Sequence, residues 1–196
     1  TGYVVNASSE QGLLAVNGMS YQARDGENAN SALIVTVTPE DFPEEGALGG
    51  IAFQRDLEKK AWELGKGKVP VQLFGDFCAH QPSSQLGEIH PNIKGGYVLT
   101  DVRSILPKEL GDSIEEGIFA FGKKLSDFDR KDAVLSGIES RTSSPVRLVR
   151  DQKGLSNITG IYPCGEGAGY AGGITSAAMD GIKTAEWIAS EYMMKL

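Results

Sequence analysis

The residues of this chain with the most chemical promise lie together near its end, at Ile161-Tyr-Pro-Cys-Gly-Glu-Gly-Ala-Gly-Tyr-Ala-Gly-Gly173. There Gly167, Gly169 and Gly172 satisfy Gly-x-Gly-x-x-Gly ahead of a helix-like run to Leu196. Glycines at such a junction let a ligand approach bare backbone, and a helix N-terminus offers unpaired N–H groups with partial positive charge. The chemistry this suits is binding of a cofactor phosphate or a flavin. Five glycines among the nine residues Gly165–Gly173 are more than a plain strand-to-helix turn needs, since each costs conformational entropy. Glu166 sits between two of them, at the expected C-terminal end of a strand, where it can accept hydrogen bonds from sugar or ribityl hydroxyls. Its bland alternative is a solvated turn residue.

A dinucleotide fingerprint also needs a second strand after the helix and an acidic residue about 20 positions on to hold the ribose. Glu191 has roughly that spacing, but it falls inside the helical pattern and no strand follows it. The adenosine half of any such site is therefore expected elsewhere. The chain is also expected to be a fragment, because Thr1-Gly-Tyr-Val-Val-Asn6 starts directly in β-type residues without an initiator methionine.

The elements that must position the motif are read from periodicity. Strands are expected over Tyr3 to Ala7, Leu13 to Val16, Met19 to Gln22, Ala32 to Val37, Val69 to Phe74, Val134 to Ser140 and Val146 to Val149, with Asn157 to Pro163 leading into the glycines. Helices are expected from Ala47 to Gly65 and from Leu110 through Leu125, the latter with Ser113-Ile-Glu-Glu116 as a capping box. The last helix carries Ile174, Ala178, Ile182, Ala185, Ile188 and Tyr192 on one stripe, with Ala177 and Gly181 beside it. The expected class is mixed α/β (α+β). Residues 1–140 are expected to make mostly a substrate-side or inserted α+β domain, whose first strands pair with a cofactor-binding domain, and 141–196 the strand-helix part of that cofactor-binding domain.

The chain has 196 residues, 40% hydrophobic and 23% charged, an ordinary globular composition with no run near the roughly 18 apolar residues of a membrane span. A net charge of −7 argues against nucleic acid or an anionic membrane as partner. Cys78 and Cys164 make no secreted disulfide framework, so a cytoplasmic location is expected. Cys164 reads as a small buried residue. Cys78, His80 and His90 lack a fourth ligand and a usual spacing, so no metal is expected, and neither histidine has a nucleophile or carboxylate beside it for a hydrolytic triad. Arg141-Thr-Ser-Ser-Pro145 brings a cation and hydroxyls to a loop: Arg141 and Ser143 are either substrate or flavin contacts, or parts of an ion pair and a satisfied turn. Asn28 and Asn30 pose the same choice between ligand contact and turn formation.

The run Tyr162 to Gly181 resembles the C-terminal flavin motif of the FAD-dependent dehydrogenases described as putative NAD-utilising dehydrogenases. Gly2 to Glu10, Asn17-Gly-Met-Ser20, Asn28 to Ala32, Phe53-Gln54 and Glu139 to Arg147 are similar to that family too. The resemblance implies an FAD-dependent oxidoreductase with a Rossmann-like FAD domain, whose ADP-binding βαβ unit lies upstream. It implies that Glu166 contacts the ribityl chain and that backbone N–H groups around Gly172, Gly173 and Ile174 face the pyrimidine edge of the flavin. Gly165, Gly167, Gly169 and Tyr170 complete the cofactor-binding set. The implied partners are the missing N-terminal FAD-binding region and a small-molecule substrate, with NAD(P)H as electron donor; no catalytic residue is identified. The alternative is a non-catalytic module that binds an anion or a protein at the glycine-rich helix start.

Overall fold

Short runs of β-branched and aromatic residues set the strands, and long stretches of helical periodicity set three of the helices. The computed structural model describes residues 2–193. They form β1 (Gly2–Asn6), β2 (Val16–Ser20), α1 (Gly49–Gly65), β3 (Val69–Leu73), α2 (Phe74–Cys78), β4 (Ile93–Lys94), β5 (Tyr97–Leu99), α3 (Lys108–Gly122), β6 (Val134–Ser136) and α4 (Ile174–Met193), a mixed α/β architecture. The chain divides into two compact units, Thr1–Asp41 with Gln54–Ser140, and Phe42–Phe53 with Arg141–Leu196. No helix among the described residues is long and apolar enough to cross a membrane.

The first unit holds two small sheets. In one, β1 runs antiparallel to β2, from Gly2↔Ser20 to Asn6↔Val16, and parallel to β4 at Val4↔Ile93. In the other, β3 lies between parallel β5 and antiparallel β6. Val69 and Val71 of β3 are fully buried, with Phe74, Phe77, Ile105, Ile118, Leu57 and Ala61 around the same core. The expected strand from Val134 to Ser140 stops at Ser136 for a reason visible in β3. The Gly137 N–H donates to Pro70 O (3.1 Å), but proline has no N–H to return, and the ladder ends there.

A buried polar network stitches this core. The Gln72 amide donates to Gln81 O (2.8 Å) and Asp101 Oδ1 (3.2 Å), and its Oε1 accepts from Arg103 N (2.9 Å). The Arg103 guanidinium pairs with Glu115 (2.6 Å) and Asp112, donates to Phe77 O (3.2 Å) and lies 4.7 Å from the centre of the Phe77 ring. Every donor buried around Gln72 thus has an acceptor, as a low-dielectric interior requires.

Several expected elements differ. Leu13, Leu14 and Ala15 are buried in a loop instead of a strand, because the Leu14 N–H donates to Glu58 O of α1 (2.9 Å) and Ala7 N–H to Ala15 O (2.8 Å). Their apolar character serves the core and not a ladder. The run from Met19 is absorbed into β2, which ends at Ser20. Ala32 to Val37 alternates half-buried Leu33, Val35 and Val37 with exposed Ile34 and Thr36, yet pairs with no strand among the described residues. Ser113 lies inside α3, where its hydroxyl donates to Glu109 O (2.8 Å), so the helix begins earlier, after Pro107, and the capping box does not form. Helix α1 ends at Gly65, and the left-handed residues that close it are Lys66 and Gly67.

In the second unit the phase of α4 departs from expectation. Its apolar stripe faces outward, with Ile174 94%, Ile182 63% and Tyr192 53% exposed. The packed side is the neighbouring one: Thr184 is buried, and Ala177, Asp180, Gly181 and Trp187 are half-buried. Gly154 sits so close to the Trp187 indole that a Cβ there would lie 2.2 Å from a ring carbon. No strand forms from Val146 to Val149 or from Asn157 to Pro163. A strand needs a partner strand for its N–H and C=O groups, and here Leu148 N–H goes to Ala168 O of the glycine loop (3.1 Å), Ser156 N–H to Ile161 O (2.9 Å) and Ile161 N–H to Ile158 O (3.2 Å).

Candidate functional site

The glycine segment of the second unit is therefore a loop-to-helix junction, and hydrogen bonds within the loop give it its shape. Tyr170 N–H donates to Gly165 O (3.0 Å) and Gly169 N–H to Glu166 O (2.8 Å), closing 165–170 into a compact turn. Leu148 N–H donates to Ala168 O (3.1 Å), and the Ser144 hydroxyl reaches Gly167 O (3.2 Å), which seats the turn on segment 144–148.

The five glycines separate into two kinds. Gly165 (φ +72°) and Gly169 (φ +81°) adopt left-handed backbone, and a Cβ at Gly169 would stand 2.6 Å from Val146 O, so the fold itself demands glycine there. Gly167 and Gly172 would give a Cβ nothing to touch within 4 Å, and at Gly173 the nearest atom is Ser176 Oγ at 3.7 Å. All three are exposed. Nothing among the described residues requires glycine at these positions; they leave a shelf of bare backbone, Gly167 in the turn and Gly172 and Gly173 just before α4.

At that shelf the Gly173 N–H donates to Ser176 Oγ (3.1 Å). Gly172 and Ile174 N–H meet no acceptor among the described residues, as expected for the first turn of a helix. Glu166 is exposed, and its carboxylate enters no hydrogen bond or ion pair among the described residues.

The turn is held to α4 by a pair the sequence reading passed over. Arg150 and Asp180 have side chains only 9% and 11% exposed, and they bond through both oxygens: Nη2 to Oδ1 (2.6 Å) and Nη1 to Oδ2 (2.9 Å). The same Oδ2 accepts the Gly165 N–H (2.9 Å), and Arg150 Nη1 also donates to Pro163 O (2.8 Å). The Arg150 N–H donates to Tyr170 Oη (3.1 Å), and the guanidinium lies 3.6 Å from the Tyr170 ring centre. Arg147 lies over the same ring at 4.4 Å. Arg150, against the opposing effect of burial and aided by the Gly165 N–H, holds the Asp180 carboxyl down at about 2. The signal was present in the sequence: Asp180 is the sole acidic residue between Ile174 and Lys183.

The other candidates are placed as follows. Arg141 and Ser143 belong to the same unit as the turn and are exposed; the hydroxyl that reaches the turn is that of Ser144. Asn28 and Asn30 belong to the first unit, where Asn28 donates to His90 O (2.6 Å) and Asn30 to Tyr3 O (3.3 Å). Asn30 lies against Gly2 and Gly18, where any Cβ would strike its amide. The Asn30 amide thus pins the loop onto β1 and β2, and the Asn28 amide ties it to the segment before β4. Cys164, expected to be buried, is exposed, because Pro163 and Gly165 on either side are the residues drawn to the ion pair. Burial pushes the Cys78 thiol up, and Glu115 adds to it, which disfavours the thiolate there.

A family model described as "FAD-dependent protein, C-terminal domain-like" matches residues 1–142. An uncharacterized protein of Clostridium beijerinckii is 52% identical over 194 residues, covering 97% of this chain and 36% of that protein. The chain thus spans little more than a third of that relative's length. The glycine turn lies beyond the residues matched by the family model.

Two outcomes follow from the turn's geometry. Gly169→Ala should cost about 2 kcal/mol or more of stability, from left-handed strain plus the clash with Val146 O, whereas Gly167→Ala and Gly172→Ala should each stay within about 0.5 kcal/mol; chemical denaturation reads all three. The lowered carboxyl of Asp180 means the unfolded chain binds a proton more readily than the folded one. Its stabilising effect is complete above the ordinary carboxylate range, near pH 4, and is lost as the pH falls toward about 2. Asp180→Asn should flatten that part of the stability profile, measured by melting temperature against pH.

Proposed function

The chain belongs to the FAD-dependent protein C-terminal domain-like family, and on that premise we propose that it is the flavin-facing C-terminal part of an FAD-dependent oxidoreductase. The observation that carries this reading is the shelf at Gly167, Gly172 and Gly173. Its backbone is bare, its glycines meet no packing need among the described residues, and it opens at a helix start. A flat, electron-rich ring fits such a surface, and side chains at these positions would fill the space it needs.

Bound there, FAD would supply hydride or electron transfer. The chain's own residues do the rest. Gly172 and Ile174 N–H, unmatched by any acceptor among the described residues, point partial positive charge from the start of α4 toward an anionic ring edge. The Glu166 carboxylate, exposed and unengaged, accepts hydrogen bonds from a polyol chain. The substrate is a small molecule, and the electron donor in this reading is NAD(P)H, a choice that rests on family resemblance and not on any residue of the shelf. The adenosine half of the cofactor is held by the remainder of the full-length protein.

The outward stripe of α4 supports that division. Ile174, Ile182, Ile188 and Met179 form an apolar surface that an independent helix would not leave in water. In this reading it is covered by the N-terminal FAD-binding region of the same protein.

The full-length protein should purify with an oxidised-flavin spectrum, and the 196-residue chain alone should be colourless. Gly173→Val, whose Cβ would meet only Ser176 Oγ, at 3.7 Å, should leave the full-length protein folded and remove most of its flavin; unchanged flavin content contradicts the assignment. Ile182→Asp should leave the stability of the isolated chain within about 0.5 kcal/mol and lower that of the full-length protein by about 2 kcal/mol or more, read by urea titration of both.

A further inference from the structure

The ion pair beneath the glycine turn has more contacts than a structural tie requires. One carboxylate oxygen of Asp180 receives both the Gly165 N–H and Arg150 Nη1 at 2.9 Å, and the other receives Arg150 Nη2 at 2.6 Å. The guanidinium reaches Pro163 O at 2.8 Å, just before the turn, and packs on Tyr170, the turn's last residue, at 3.6 Å. The Arg150 backbone N–H holds the Tyr170 hydroxyl at 3.1 Å. Entry and exit of the turn are therefore fixed by one charge pair, and Asp180 itself stands on α4, the helix that Gly172 and Gly173 lead into.

We propose that Asp180 and Arg150 are positioning residues for the cofactor: they set the turn and the start of α4 in the one arrangement that presents the bare backbone of Gly167, Gly172 and Gly173 to the flavin. This rests on the flavin reading above. Among the described residues no hydrogen bond joins either side chain to Gly167, Gly172 or Gly173. Their effect is transmitted through Gly165 and Tyr170, and through the helix that carries Asp180. The acceptor demand at residue 180 is strict. Arg150 and Gly165 together present three N–H donors to two oxygens, and an amide would turn a donor toward one of them.

The test uses the full-length protein. Asp180→Asn and Arg150→Lys should weaken FAD binding at least about tenfold, shift the visible spectrum of the flavin that remains, and speed amide exchange at Gly165 and Tyr170. Phe53→Leu, a core change in the same unit beside Phe42, should lower the melting temperature while leaving FAD affinity and spectrum as in the wild type. That contrast separates positioning from general loss of stability. If the wild type binds FAD and both ion-pair variants match its affinity and spectrum, the positioning role is overturned and the flavin reading survives. The role is also overturned if Phe53→Leu weakens FAD as much as they do. A flavin-free wild type would overturn the functional reading and this inference together.

Discussion

The second unit depends on a charge pair that is nearly buried. Arg150 and Asp180 are far apart in sequence, and burying either alone would leave an uncompensated charge at heavy cost. Together, with Gly165, Pro163 and Tyr170 supplying the remaining donors, acceptor and aromatic face, they form a closed network. The consequences reach outward. The pair fixes which side of α4 faces the loop, it brings Pro163 and Gly165 inward and so leaves Cys164 at the surface, and it gives the glycine turn a rigid floor. A surface ion pair would be worth little; this one is shielded and bidentate, and organises backbone as well as charge.

The same pair explains where sequence reading succeeded and failed. The lengths of α1 and α4 were legible because apolar residues recur at helical steps. The packed face of α4 was not. Its stripe from Ile174 to Tyr192 obeys the spacing, yet the chain packs the side bearing Asp180, Thr184 and Trp187. Periodicity says that a helix is two-sided, and only tertiary partners decide what covers each side. Strand composition misled in the same way at Val146 to Val149 and Asn157 to Pro163, because a strand is a relation between segments and these pair with no strand among the described residues. At β6 the limit was legible in principle, since Pro70 could return no hydrogen bond.

The glycine motif was legible as a place, and the structure divides it by role. Gly165 and Gly169 are accounted for by left-handed backbone and by the approach of Val146 O, as in any tight turn. Gly167, Gly172 and Gly173 have no such account among the described residues, and all three are exposed, Gly167 in the turn and Gly172 and Gly173 just before α4. A five-glycine motif therefore contains two structural glycines and three that face outward, a distinction that no one-dimensional pattern could draw. The family match ends at residue 142, before these glycines, so the case for the shelf is a physical one.

The most direct test of that case is amide hydrogen exchange on the full-length protein with and without added FAD. The account predicts that FAD protects the backbone of Gly167 through Ile174 while exchange in α3 stays unchanged. Equal exchange at Gly172 and Ile174 in the two states, with FAD shown to be bound, would contradict it.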